Sequence, residues 1–327
     1  MSLILKSPRY GETDFGPIFC APWVRGFFGF MHWPLYILYI LGLTWKGTGF
    51  AAKTITFPPR QGNVSVDNNG ITWPIWSKAI YVNFWKGYFI NAFGLSNPGL
   101  VRCLELGHWQ KRKSSFLLSF TSTFSDKASR LMDVQDIVED LLPVLDDFKA
   151  PVALQWNIGC PNAGIYKNMS PDKIADEVIE SFALLRKLGI PLILNFNALM
   201  PIECIQKVHT HVDAFWIGNI IPVGSPEIDW NKMFKGGISP LIRRGLKNFP
   251  GGLSGPEAFP LTLAKIREIR ACNIKTPIVA GNGTRTVGNI RSLQTVGTDA
   301  AFMGSIILRP WRMKGIIKAA HQYLADN

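Results

Sequence analysis

Within six residues the chain places two carboxamides around a thiol, Asn157-Ile158-Gly159-Cys160-Pro161-Asn162. A carboxamide offers both a donor and an acceptor, which suits the edge of a planar imide or amide ring, and a loop cysteine, as its thiolate, can act as a base. The same six residues would equally suit a small buried cysteine in a turn that Pro161 stiffens, so their neighbours must decide. Further polar and glycine-rich runs follow: Lys53-Thr54-Ile55-Thr56, with Arg60, Gly62 and Asn63 beyond it, then Asn91-Ala92-Phe93-Gly94-Leu95-Ser96-Asn97-Pro98-Gly99. Later come Gly251-Gly252-Leu253-Ser254-Gly255, Ala280-Gly281-Asn282-Gly283 and Met303-Gly304-Ser305. Glycines in late loops let backbone N–H groups approach a phosphate. The five cysteines, Cys20, Cys103, Cys160, Cys204 and Cys272, show no CxxC and no Cys/His ligand spacing. Neither a metal site nor a disulfide framework is expected, and a reducing, cytoplasmic setting is.

These runs need a scaffold that brings distant loops together. Short apolar segments alternate with amphipathic ones along most of the chain, the pattern of a parallel sheet with crossover helices. Strands are predicted at 17–21, 50–56, 115–121, 152–157, 191–196, 212–217, 277–281 and 300–304, and helices at 134–148, 171–188, 256–271, 285–296 and 310–324. Eight strands is the count of a closed (β/α)8 TIM barrel, in which the chemistry sits at the C-terminal ends of the strands. One domain over residues 1–327 is expected, with insertions at 58–81 and 222–250 placed at that mouth.

Composition agrees with a large folded core: 327 residues, 47% hydrophobic and 18% charged. A formal charge of +12 favours anionic ligands or surfaces without naming one. No leader peptide is read at the start. The most apolar stretch, 32–43, is too short for the ~20 residues that span a bilayer. It reads first as a buried helix and second as a membrane or partner contact.

Taken together and in order, KTxTxxPRxGN, NAxGLxNPG, NxxCPN and GGLSG resemble the dihydroorotate dehydrogenase family of FMN-dependent barrels, from about residue 17 to the last helix. The resemblance implies oxidation of a CH–CH bond in a small dihydropyrimidine, dihydroorotate by default. It makes Cys160 the catalytic base, as in class 1 members, where the quinone-linked class 2 uses serine. It assigns Lys53, Asn91, Asn157, Asn162 and Asn219 to the substrate. It assigns Ala21, Lys53, Thr54, Asn157, Asn195, Gly218, Gly255, Asn282, Gly283, Gly304 and Ser305 to FMN. A homodimer and an electron acceptor or acceptor subunit are implied partners; nucleic acid is not.

The departures are specific. Asn195 stands where the family places a lysine beside the flavin N1/O2 edge, Ile220 where a hydroxyl residue is usual, Thr284 for a glycine and Gly159 for a serine. Two other readings compete. A tRNA dihydrouridine synthase shares the NxGCP strand end and the GNG loop, but its cysteine lies several residues beyond the motif, and here none follows Cys160 until Cys204. A flavin-binding barrel without turnover would fit the departures but gives no reason to keep Lys53, Cys160 and the four asparagines.

Overall fold

Six consecutive buried residues, Val152–Asn157, form a strand with both faces covered, one by helices and one by the interior of a closed sheet. The computed structural model describes residues 2–30, 33–67, 69–70, 72–73, 77–159 and 169–324. Its central sheet has eight parallel strands: β1 (Ile18–Cys20), β2 (Phe50–Ala51), β3 (Phe116–Phe120), β4 (Val152–Asn157), β5 (Leu192–Phe196), β6 (Ala214–Ile217), β7 (Ile278–Ala280) and β8 (Ala300–Met303). Neighbours pair in sequence order, and β8 returns to β1. A parallel bridge from Phe19 to Gly49 joins β1 to the start of β2 and closes the ring. The chain is a (β/α)8 TIM barrel.

The outer layer holds helices α1 (Leu100–Glu105), α2 (Lys127–Leu141), α3 (Pro171–Leu185), α4 (Ile202–Val208), α5 (Phe259–Ala271), α6 (Val287–Thr295) and α7 (Met313–Leu324). Their starts are chemically marked. Asp126 accepts from the Ser129 backbone N–H, Ser170 does the same for Lys173 ahead of Pro171, and Thr286 and Asn289 form a reciprocal capping box. Helix α2 begins seven residues before the expected 134 because its first turns turn polar side chains, Arg130 and Asp133, inward. Hydrophobic periodicity cannot register an inward face of that kind.

Arg130 and Glu177 tie α2 to α3 through two parallel contacts of 2.6 Å, with side-chain exposures of 4% and 2%. Breaking one partner leaves the other charge buried. Glu177→Ala is therefore expected to lower unfolding free energy by about 3–5 kcal/mol, checked as a shift in the urea midpoint at unchanged slope.

Three other expectations need correcting. The 50–56 strand shrinks to Phe50–Ala51, with only Ile55 bridging on to Phe120, because the chain leaves the ladder to place Lys53 and Thr54 at the mouth. The 32–43 stretch is not a buried α-helix. Its core is a 3-10 helix, Trp33–Tyr39, and Ile37 and Ile40 are 65% and 85% exposed. An N-terminal hairpin, Ile4–Ser7 with Gly11–Asp14, was not expected at all. It packs Leu3, Leu5 and Phe15 into the core, and Arg9 bonds to the backbone at Leu188 and Gly189, ahead of β5.

The insertions do reach the mouth. A small hairpin pairs Ser65–Val66 with Thr72–Trp73. A four-stranded antiparallel sheet, in the order Ile221–Pro222, Gly252–Ser254, Tyr88–Asn91, Ile80–Asn83, lies over the C-terminal ends with its own apolar cluster around Tyr88, Ile90, Leu253 and Phe234.

Candidate active site

The ends of the barrel strands and this sheet enclose a cavity whose empty space, open mouth included, is about 900 Å³. From β4 and β5 come Asn157 and Asn195, which are register partners on adjacent strands. Lys53 and Thr54 come from the segment after β2, Gly218 and Asn219 from the end of β6, and Asn282 and Gly283 from β7. Gly304 and Ser305 come from β8, Ala21 from β1, and Asn91 from the overlying sheet. Of the residues expected at the site, Gly255 is the one described residue that does not line the cavity. Its N–H is engaged by Asn282 Oδ1 at 3.2 Å, and its carbonyl stands where a side chain on Gly283 would go. Cys160 and Asn162 lie outside the described residues.

The polar groups form one continuous chain. Asn219 Nδ2 donates to Asn157 Oδ1 (2.7 Å), and Asn157 Nδ2 donates to Thr54 Oγ1 (3.0 Å). Thr54 shares a proton with Ser119 at 2.8 Å, Ser119 Oγ donates to Gln155 Oε1 (2.8 Å), and Asn195 Nδ2 donates to the same oxygen (3.1 Å). Ser119 and Gln155 escaped the sequence reading. Gln155 was legible in principle, because it sits two residues before Asn157 in a strand and so faces the same way. Asn195 Oδ1 and Gln155 Nε2 are left buried and without a partner.

Lys53 is the one ionisable residue among the described lining residues. Its ammonium donates to the Ser96 carbonyl at 3.1 Å and lies over the rings of Phe27 (4.8 Å) and Phe93 (5.0 Å). Burial lowers its pKa from 10.5 to about 8. An anionic ligand group would restore the charge and gain strongly from it. Burial pushes the Cys103 and Cys204 thiols up to about 12, so neither supplies a thiolate near neutral pH.

Backbone form is tightly specified. Asn282 holds a left-handed φ of 56° while its amide ties Asn219 O to Gly255 N. That strain is the mark of a residue fixed by its surroundings. Gly283, at φ 99°, has no room for a Cβ against the Gly255 backbone. Gly159 explains its own departure: a Cβ there would come within 2.7 Å of Phe196 Cα and 2.8 Å of Asn197 N, so serine would not fit. Trp216 lines the cavity and stacks on Phe302 at 4.7 Å, whereas Trp156 is buried outside the lining. His108 packs on Phe28 and Phe30, and His321 bonds to the Gly47 carbonyl; neither reaches the cavity. No metal-binding cluster occurs among the described residues.

Two features bear on FMN. The buried hydroxyls of Thr284 and Ser305, on the loops after β7 and β8, have no partner within the protein. Beside them Gly283 and Gly304 keep the backbone bare, and a Cβ on Gly304 would come within 2.9 Å of Ala21 Cβ. Unpaired hydroxyls beside bare N–H groups at this end of a barrel suit a phosphate, so the residues present fit the cofactor. Ser305 lines the cavity, whereas Thr284, a departure from the glycine of the resembling family, is buried beside it and does not.

The neutral Asn195 is matched by a neutral Gln155. Asn195→Lys alone is expected to cost stability, because the new ammonium would be buried without a counter-charge. The pair Asn195→Lys with Gln155→Glu is expected to recover most of the loss, measured as a thermal midpoint. Equal midpoints for single and double variants would show that the two residues are not coupled.

Fold and site define a (β/α)8 barrel with an amide-lined pocket at its C-terminal mouth that holds Lys53. Within that class the chain is similar to dihydroorotate dehydrogenases in sequence and in fold. Among curated proteins it is 28% identical over 222 residues to the dihydroorotate dehydrogenase B (NAD(+)) catalytic subunit of Staphylococcus carnosus, covering 66% of this chain and 65% of that one. The subunit of the same name from Geotalea uraniireducens is 25% identical over 248 residues, covering 74% of each. The chain also spans 66% of the Listeria innocua protein of that name, at 26% identity. No family model matches. The solved structure of DHODH from Eimeria tenella with ferulenol superposes with a TM-score of 0.65 at 15% identity, over 96% of this chain and 85% of that one. The ligand-free form gives 0.66 at 14% identity, over 95% and 84%.

Proposed function

We propose that the protein is an FMN-dependent oxidoreductase acting on the CH–CH bond of a dihydropyrimidine, with dihydroorotate as the default substrate. The observation that carries this is the pocket itself: a chain of neutral amides and hydroxyls along one wall and, among the described lining residues, one cation, Lys53. A ring imide needs the first and a ring carboxylate the second. The names of the curated relatives support the same reading.

In this reading Asn91, Asn157, Asn162 and Asn219 hold the ring edge, and Lys53 meets the carboxylate. Cys160 takes the proton from a ring carbon. FMN, when bound, supplies the hydride acceptor, with its phosphate at Gly283, Thr284, Gly304 and Ser305 and its ring bordered by Ala21, Thr54, Asn195 and Gly218. Gly255 and Asn282 brace the phosphate loop from behind. Trp23, Phe93 and Ile220 supply apolar lining that keeps water from the ring. A homodimer and a separate acceptor subunit are proposed on the resemblance and on the relatives' designation as catalytic subunits.

The test is anaerobic. FMN-loaded protein is titrated with dihydroorotate and, separately, with dihydrouracil, which lacks the carboxylate. Bleaching of the flavin by the first and far less by the second is expected. A yellow protein that neither compound bleaches would leave a flavin-binding barrel without this activity.

A further inference from the structure

The segment 36–41, which lies between β1 and β2, gathers five exposed large hydrophobic residues. Ile37 is 65% and Ile40 85% exposed, flanked by Tyr36, Tyr39 and Leu41. Its end at Gly42 leans on the backbone of Pro310 and Trp311, with Gly42 placed so that a Cβ would lie 3.2 Å from Trp311 Cα. Trp311 is 60% exposed. Arg309 then extends the strip: its guanidinium lies 5.8 Å from the Trp311 ring and donates to the carbonyl of Trp85, itself 93% exposed. Exposed aliphatics, ring-bearing side chains and arginine thus run together across one surface.

Cations flank this strip. Lys46 and Lys86 are exposed, as are Arg312, Lys314 and Lys318 beyond Trp311. Residues 300–325, which contain Arg309 and Trp311, hold four Lys or Arg against no acidic residue. Burial lowers the Arg285 pKa, and the nearby Arg309 and Arg312 add to the effect while Glu257 opposes it.

We propose that this strip docks the protein on the surface of an anionic bilayer. Isoleucine and leucine enter the acyl boundary, Trp and Tyr sit at headgroup level, and the cations meet lipid phosphates. Exposed apolar side chains flanked by exposed cations on two separate stretches of chain suit an anionic lipid surface. Among the described residues no helix is long and apolar enough to cross a membrane, so the contact is peripheral. It is independent of the proposed chemistry, since none of these residues lines the cavity.

The full chain loaded with FMN is sedimented with vesicles of phosphatidylcholine alone, and with vesicles containing about one third phosphatidylglycerol. Binding to the mixed vesicles is expected to be about tenfold tighter or more and to fall as salt rises from ~0.1 to ~0.5 M. Ile37→Asp with Ile40→Asp should abolish pelleting, and Arg312→Glu should weaken it only on the anionic vesicles. Both variants should retain wild-type FMN content and thermal midpoint. No pelleting of the wild type, or equal pelleting of wild type and the double aspartate variant, would overturn the proposal. So would a concentration-dependent dimer that the aspartates disperse, since that would give the strip to a second copy of the chain.

Discussion

Cys160→Ala protein is expected to load FMN normally and to reduce it with dihydroorotate about 10²–10⁴-fold more slowly, the usual contribution of a positioned base. The flavin would be held by the β6, β7 and β8 ends, which the substitution does not touch. Cys160→Ser should turn over slowly and improve with pH, because a hydroxyl is far harder to deprotonate than a thiol. Cys20, Cys103 and Cys204 offer no substitute: Cys20 is fully buried with its pKa raised by burial, and Cys103 and Cys204 are pushed to about 12. Stopped-flow absorbance in the flavin band separates the outcomes. An alanine variant that reduces flavin at the wild-type rate would remove Cys160 from the mechanism.

Lys53→Met should weaken binding of orotate, the anionic product, by about tenfold to a hundredfold, the ~1.5–3 kcal/mol of a hydrogen bond to a charged group. The loss should be much smaller for uracil, which carries no carboxylate. The wild type should also show a pH signature that the variant lacks. Lys53 is charged below about 8, so orotate affinity should be flat at lower pH and fall by up to about tenfold per unit above it. Stability of the ligand-free protein moves the opposite way. Burial disfavours the charged form, so the unfolded chain keeps this proton up to the ordinary value of 10.5 while the folded chain sheds it near 8. Lys53 therefore destabilises most below pH 8, and that penalty is relieved between about 8 and 10.5. Calorimetric titration across this range checks both signs.

The barrel was legible because its strands are buried on both faces. Runs such as 116–120, 152–157 and 192–196 are buried throughout and mostly apolar, with a polar residue (Ser119, Asn157, Asn195) in one of the last two positions. The glycines were legible because a bare backbone is needed wherever two loops touch, as at Gly283 and Gly255. Three things were not. Arg130 and Asp133 turn inward in α2, so the helix starts where hydrophobicity is silent. The 36–41 segment is apolar yet exposed, and composition carries no information about which side of a surface a side chain ends on. Ser119 and the unpartnered hydroxyl of Thr284 became visible only when β2, β3, β4 and the β7 loop were brought together, since a lone serine or threonine in a strand announces nothing.

The hydrogen-bonded wall from Asn219 to Asn195 has no formal charge anywhere along it. Its members are three asparagines, a glutamine and two hydroxyl residues. The Gly159 N–H on Asn157 Oδ1 (3.1 Å) and the Ile220 N–H on Asn219 Oδ1 (2.9 Å) fix which way those two amides face. No such donor holds Asn195 and Gln155, and a half-turn about the last bond of each exchanges donor for acceptor there without moving an ion. A lysine in place of Asn195 would be locked, offering donors only at that edge. The protein thus carries a wall that is fixed at one end and adjustable at the other, and selection among ring tautomers falls to the fixed end, Asn157 and Asn219.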